Sequence, residues 1–198
     1  MADRVNERGA ALIEAAIVTP LFLLILMGIF ETSFMIHDNL KVEGAAGAGV
    51  RAATVEGATP TADYLTVQSV RSGLTTFDPA NVEMVVVFLA SGPGDTPPTG
   101  CLSVPVPAGL PCNSYTSSDF FLSNVDGGGN LTGHWGCGPT ARDRNWCPTE
   151  RQAALSDPGG PDHVGIHIRV RQPSLTGILG GDRQIDVTRI ARIEPTAN

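Results

Sequence analysis

Sixteen consecutive residues, Ala15 to Phe30, carry no charge, and an acid, Glu14, stands immediately before them. As a helix rising about 1.5 Å per residue the run covers roughly 24 Å. With Ala10–Ile13 and Thr32–Ile36 added, it passes the roughly 30 Å thickness of a bilayer's hydrocarbon core. A cleavable secretory signal has an apolar core of only about 7–15 residues, so this run predicts a retained anchor. The small-x-small triplet Ala46-Gly47-Ala48 lies well past the apolar core and does not read as a signal cut site. An acid at the centre of a bilayer costs about 2.5–3.5 kcal/mol on insertion scales, so Glu14 needs a partner. Pro20 lacks a backbone donor and predicts a kink near Ala16–Pro20.

Arg4 and Arg8 flank the run on one side, accompanied by Asp3 and Glu7. Acids count weakly in the positive-inside rule, so the expected arrangement is a single-pass protein of the cell membrane, with the N-terminus cytoplasmic and the C-terminal domain extracytoplasmic. The formal net charge is -7, and Lys41 is the only lysine. That balance argues against nucleic acid as a partner, because nucleic acid requires a basic face. Four cysteines, Cys101, Cys112, Cys137 and Cys147, all lie beyond the anchor. An even number in an exported segment reads as two disulfides, with three possible connectivities. Proximity in sequence favours Cys101–Cys112 and Cys137–Cys147. Zinc is the weaker reading, because no C-x-x-C knuckle is present.

Beyond Ile36 the helix is expected to continue through Gly44-Ala45-Ala46-Gly47-Ala48-Gly49. Glycine is a poor helix former, and so many small residues suggest a seam where another backbone approaches closely. Gly44 and Ala48 have the small-xxx-small spacing and are the expected packing pair. A second short helix opens at Pro60 or Thr61, with Ala62, Leu65, Val70 and Leu74 as its apolar stripe. Val82–Ala90 is β-branched and nearly all apolar, which predicts a central strand covered on both faces. His163–Arg171 alternates cleanly, predicting a half-buried strand with His163 and His167 on its solvated face. Gln184–Ile193 reads as a last strand whose alternation breaks at Ile190 and Ile193, which points to a bulge near Thr188–Arg189 or to a helical turn. Between the strands, residues 91–161 are rich in Gly, Pro, Ser, Asn and Asp, a loop-rich insertion that needs a staple or a function.

The expected fold class is therefore α+β: a long N-terminal transmembrane helix, then a short helix packed on a small antiparallel sheet, with a long disulfide-stapled insertion. The expected division is a leader at 1–9, a transmembrane and juxtamembrane helix at 10–58, and an extracytoplasmic domain at 59–198. His163 and His167 have no acidic or cysteine partner at ligand spacing, so no metal is expected. Asn124–Asn130 reads as a glycine turn and not as a calcium loop, which would need a fuller set of oxygen ligands. Trp135 and Trp146 stand near cysteines and are expected to pack over disulfides; an exposed pair would favour adhesion. No nucleophile elbow, zincin helix or phosphate loop occurs, so neither an enzyme nor a cofactor is expected.

Arg8-Gly9, Glu14, Pro20, Gly28 and Glu31, then Gly47 through Ala53, together resemble a TadE-like protein, a pseudopilin or minor pilin of tight-adherence, Flp-type pilus systems. Ile190 to Pro195 more weakly resembles the terminal strand of that family. The resemblance implies that a prepilin peptidase cuts between Gly9 and Ala10, making Glu14 the fifth residue of the mature chain. It implies that Glu14 then pairs with the N-terminal amine of a neighbouring subunit. It implies as partners other pilin or pseudopilin subunits, the pilus assembly platform and the membrane. Ala15 follows Glu14 where the major pilin has a Glu-Tyr pair, and the outer domain is large. The chain therefore resembles an accessory subunit and not the main pilin. A membrane-anchored adhesion module presenting the cysteine-rich loop is the alternative expectation.

Overall fold

The computed structural model describes residues 3–123, 133–174, 177 and 180–195, with side chains of the first helix from Gly9 onward. The side chains of Arg4 and Arg8 and the turn at Asn124–Asn130 lie outside the described residues. One helix, α1, runs from Asp3 to Glu56, with Pro20 inside it. The helix is assigned without interruption on both sides of that proline. After a turn at Gly57, helix α2 (Ala62–Gly73) doubles back along α1. Strand β1 (Val82–Ala90) follows, then the insertion, which contains a short strand β2 (Cys112–Tyr115). The chain closes with β3 (His163–Gln172) and β4 (Arg183–Arg192).

The four strands form an antiparallel sheet in the order β2-β1-β3-β4. β1 lies between β2 and β3, as its nearly continuous apolar sequence requires. The pairing of β3 with β4 runs from His163↔Arg192 to Gln172↔Arg183 without a slip. The bulge expected at Thr188–Arg189 is therefore absent, and the one irregularity lies between Val82 and Met84, where β1 meets β3. Ile190 departs from the apolar face for a different reason: it points away from the helices and packs on a second core. β2 carries no strand signal in the sequence, because its four residues include Asn113 and Ser114 and lack a strand's usual apolar pattern.

Each face of the sheet has its own core. On one side Val85, Val87, Ile166, Ile168, Val170, Ile185 and Val187 pack under α1 and α2 against Val42, Ala45, Ala46, Ala53, Val67 and Val70. On the other side Val86, Phe88 and Ala90 are covered by Cys101, Val106 and Cys112 from the insertion. β3 is consequently more buried than its alternation implies. Gly165 lies under the Phe88 ring, where a Cβ would fall 2.3 Å from a ring carbon. A glycine in mid-strand with an aromatic ring laid across it marks a close approach that no side chain at that position would permit.

Candidate functional site

From Gly9 to Leu24 every residue of α1 is exposed; Leu12, Ile17 and Leu21 are 73 %, 70 % and 62 % exposed. No other part of the described chain covers this rod. A contiguous apolar surface of this size is not tolerated in water, so it belongs in lipid or against other subunits. Among the described residues this is the one helix long and apolar enough to cross a membrane. Where polar residues enter the rod, they satisfy themselves internally. Thr32 Oγ1 donates to the Gly28 carbonyl at 2.8 Å and Ser33 Oγ to the Ile29 carbonyl at 2.8 Å. Such back-bonding lets hydroxyls sit in an apolar medium without an unmet donor. Gly9 and Ala10 are exposed on the same helix, one to two turns before Glu14 and its exposed neighbours Ile13 and Ile17.

The head begins where the rod ends. The loop end of the β3–β4 hairpin, at Gln172 and Arg183, lies beside α1 one turn past the apolar run. Arg183 reaches the Met35 sulfur at 2.8 Å and Gln172 Nε2 donates to Asp38 at 2.8 Å. One turn on, Arg189 pairs with Glu43 at 2.6 Å. At the far end the Glu194 amide donates to the Thr54 carbonyl at 3.0 Å. α1 is thus a free rod in its first half and the spine of the domain in its second.

The seam inside the chain does not use the expected pair. Gly44 and Ala48 are exposed, and a Cβ built on Gly44 meets nothing within 4 Å. The buried small residues are one helical position away, at Ala45, Ala46, Gly49 and Ala53. A Cβ on Gly49 would lie 2.5 Å from Val70 Cγ2, and one on Gly73 would lie 2.7 Å from the Ala45 Cα. The density of small residues correctly predicts close packing; a GxxxA register alone does not determine the face.

The insertion is fastened to α2 through a buried polar group that the sequence reading missed. Asp63, fully buried, accepts from Arg151 at 2.7 Å, the Tyr115 hydroxyl at 2.6 Å and Asn113 Nδ2 at 2.9 Å. Asn113 Oδ1 in turn accepts from the amides of Asn145 and Trp146, each at 3.1 Å. Burial, reinforced by the charges of Asp63 and Asp143, pushes the Tyr115 phenol well above its ordinary range. The signal available in sequence was an acid at the start of an amphipathic helix beside its apolar stripe. Leu65, placed in that stripe by spacing, is only half-buried, whereas Asp63 and Thr66 are buried.

Cys101 is bonded to Cys112 and Cys137 to Cys147. Trp135 is 2 % exposed, stacked on Tyr115 and edge-on to Tyr64. Trp146 lies under the Arg151 guanidinium at 4.1 Å. The tryptophans thus pack on tyrosine and arginine instead of presenting an exposed pair. His167, expected on a solvated face, is 6 % exposed; its Nδ1 is 2.9 Å from the Thr188 hydroxyl and its Nε2 3.3 Å from Asp186. Burial holds this imidazole below its ordinary range, with Asp186 opposing and Arg169 assisting. Among the described residues no group of three metal-ligating side chains occurs.

No curated protein and no solved structure matches the chain. Residues 9–51 match a family model described as TadE-like protein. The matched segment contains the exposed rod, Glu14 and most of the packed spine, so the likeness to TadE-like proteins lies in α1.

Proposed function

We propose that the protein is a minor pilin or pseudopilin of a tight-adherence pilus, held in the membrane by α1 and passed from there into an assembling filament. The family suggests association with membrane components of such a pilus. The observation that carries the finer reading is Glu14, a carboxylate on a rod that the chain itself leaves uncovered. Its counter-charge must come from outside the described chain, and the amine created by cleavage after Gly9 in a neighbouring subunit is a fitting one. Two charges meeting in lipid offset much of the desolvation that either alone would suffer. A prepilin peptidase and an assembly platform are the partners this route requires.

The two disulfides accord with a head outside the cytoplasm, where oxidation persists, and so with a cytoplasmic N-terminus. We read the chain as non-catalytic. Its fully buried ion pair, Asp63 with Arg151, is closed to solvent and occupied with holding the insertion. The adhesion reading draws no support from the tryptophans, which are buried.

N-terminal mass spectrometry of the protein from membranes tests the proposal. A chain that starts at Ala10 supports it. A chain that starts at residue 1 or 2, in cells with an active prepilin peptidase, overturns it. Glu14→Ala is expected to be processed normally yet largely lost from filaments; normal incorporation would remove Glu14 from the mechanism.

A further inference from the structure

The two disulfides differ in their surroundings. Cys101 and Cys112 are both 0 % exposed, sealed into the core on the outer face of the sheet. Cys147 is 5 % exposed, but its partner Cys137 is half-buried and stands between Gly136 and Gly138, which have no side chains to shield it. Cys137 has a φ of 66°, in the left-handed region that a non-glycine residue keeps when its surroundings impose it. Asp143 imposes it here: its carboxylate accepts from the Gly136 amide at 2.8 Å and from the Cys137 amide at 2.9 Å. Neither bond involves sulfur, so the turn is held independently of the disulfide. Thr149 Oγ1 lies 2.9 Å from Cys147 Sγ and 3.9 Å from Cys137 Sγ. A disulfide sulfur carries no proton, so the hydroxyl is the donor, and Cys147 Sγ is the atom it favours.

We propose that Cys137–Cys147 is the head's site of thiol–disulfide exchange, with a protein dithiol outside the cytoplasm as the reacting partner and Cys137 Sγ as the atom attacked. The inference takes from the pilus reading only the head's place outside the cytoplasm, and is independent of cleavage at Gly9 and of Glu14. Exchange requires a thiolate to reach one sulfur in line with the S–S bond while the other sulfur leaves as thiolate. Cys101–Cys112 offers no sulfur to solvent. Cys137 offers a half-buried one on a fixed turn, and the Thr149 hydroxyl stabilises negative charge on the departing Cys147. The partner's thiolate bonds to Cys137 Sγ, the S–S electron pair leaves with Cys147 Sγ, and Cys147 takes a proton from solvent. The partner's second thiol, having lost its proton, then attacks its own sulfur in the mixed disulfide. Cys137 departs and is protonated in turn; the dithiol is oxidised by two electrons and the Cys137–Cys147 bond is reduced by two. The reverse sequence closes the loop. That loop carries Asn145 and Trp146, whose amides donate to Asn113 Oδ1 at 3.1 Å each, while Asn113 Nδ2 donates to Asp63 on α2. Opening it therefore loosens the fastening of the insertion to α2.

Reduced glutathione, a monothiol that cannot resolve its own mixed disulfide, tests this on the folded full chain in detergent. After brief exposure the reaction is quenched with acid, free thiols are blocked with N-ethylmaleimide, and the four cysteines are mapped by mass spectrometry. Glutathione on Cys137 with maleimide on Cys147 is expected to exceed the reverse pattern about tenfold, with Cys101 and Cys112 still paired. Thr149→Val, at an exposed position, is expected to slow adduct formation about threefold without changing the melting temperature, and Thr149→Ser to restore the rate. Glutathione chiefly on Cys147, equal opening of the two disulfides, no adduct on any cysteine, or an unchanged rate in Thr149→Val overturns the proposal. None of these outcomes bears on the start of the mature chain, so a failure here is distinguishable from a failure of the pilus reading.

Discussion

Asp63 and Arg151 are both fully enclosed in side-chain terms, and their 2.7 Å contact is joined by Tyr115 and Asn113. Removing one member strands a charge in a medium that cannot solvate it. Asp63→Ala is therefore expected to cost about 3–5 kcal/mol, the range for breaking a buried pair. Tyr115→Phe, which removes one hydrogen bond to a charged acceptor, is expected to cost about 1.5–3 kcal/mol. Thermal or denaturant unfolding of the full chain in detergent measures both, and equal effects would show that the carboxylate is not the hub. His167 has a pH signature of its own. Its folded pKa lies below the unfolded value, so its neutral form is what the fold favours. That contribution is complete above about pH 6.5 and is lost as pH falls through the folded pKa. Stability is expected to decline from pH 7 towards pH 5, and His167→Asn should flatten that decline. Asp143 acts with the opposite sign and lower on the scale: burial raises its carboxyl against the pull of the Cys137 and Gly136 amides.

At the scale of elements, the antiparallel pair α1 and α2 is set by backbone proximity. A Cβ at Gly73 would fall 2.7 Å from both the Cα and the Cβ of Ala45, and backbone cannot swing aside as a side chain can. Gly73→Ala is therefore expected to cost about 1–3 kcal/mol by overpacking. Gly44→Ala meets open space and is expected to gain up to about 1 kcal/mol of helix propensity. Melting curves of the two variants should move in opposite directions; a shared direction would place the seam elsewhere. The same comparison shows what was legible in the sequence. Strands β1, β3 and β4 and helix α2 announced themselves because apolar periodicity survives wherever one element packs on another. β2 did not, because between the buried Cys112 and Tyr115 stand Asn113 and Ser114, whose side chains bond to the insertion and leave no apolar alternation to read. The seam's face is hidden for a related reason: Gly44 and Gly49 are chemically identical, and only the paths of α2 and β3 decide which of them is buried. Glu14 was legible as an oddity of composition, while Asp63 was hidden because an acid in the first turn of a soluble helix is ordinary.

The whole molecule combines two parts stabilised by different means. The rod from Gly9 to Leu24 makes no contact that protects it from solvent, so its fold depends on lipid or on neighbouring subunits. The head depends on its own two cores, and each disulfide serves a different side of it. Cys101–Cys112 closes the loop that covers Val86 and Phe88 on the outer face of the sheet. Cys137–Cys147 closes the loop that carries Trp146 into the helix-side core, beside Trp135 just before it. Loops of 11 and 10 residues each constrain the unfolded chain by about 3 kcal/mol in the chain-entropy account. Replacing either pair with alanines is therefore expected to lower the head's melting temperature by a similar amount, and replacing both should leave it unfolded at growth temperature. Neither change touches the rod, so carbonate-resistant membrane association is expected to persist in all three variants. Filament incorporation, which needs a folded head, should fail in the quadruple variant alone. Loss of membrane association in that variant would mean that the head contributes to anchoring.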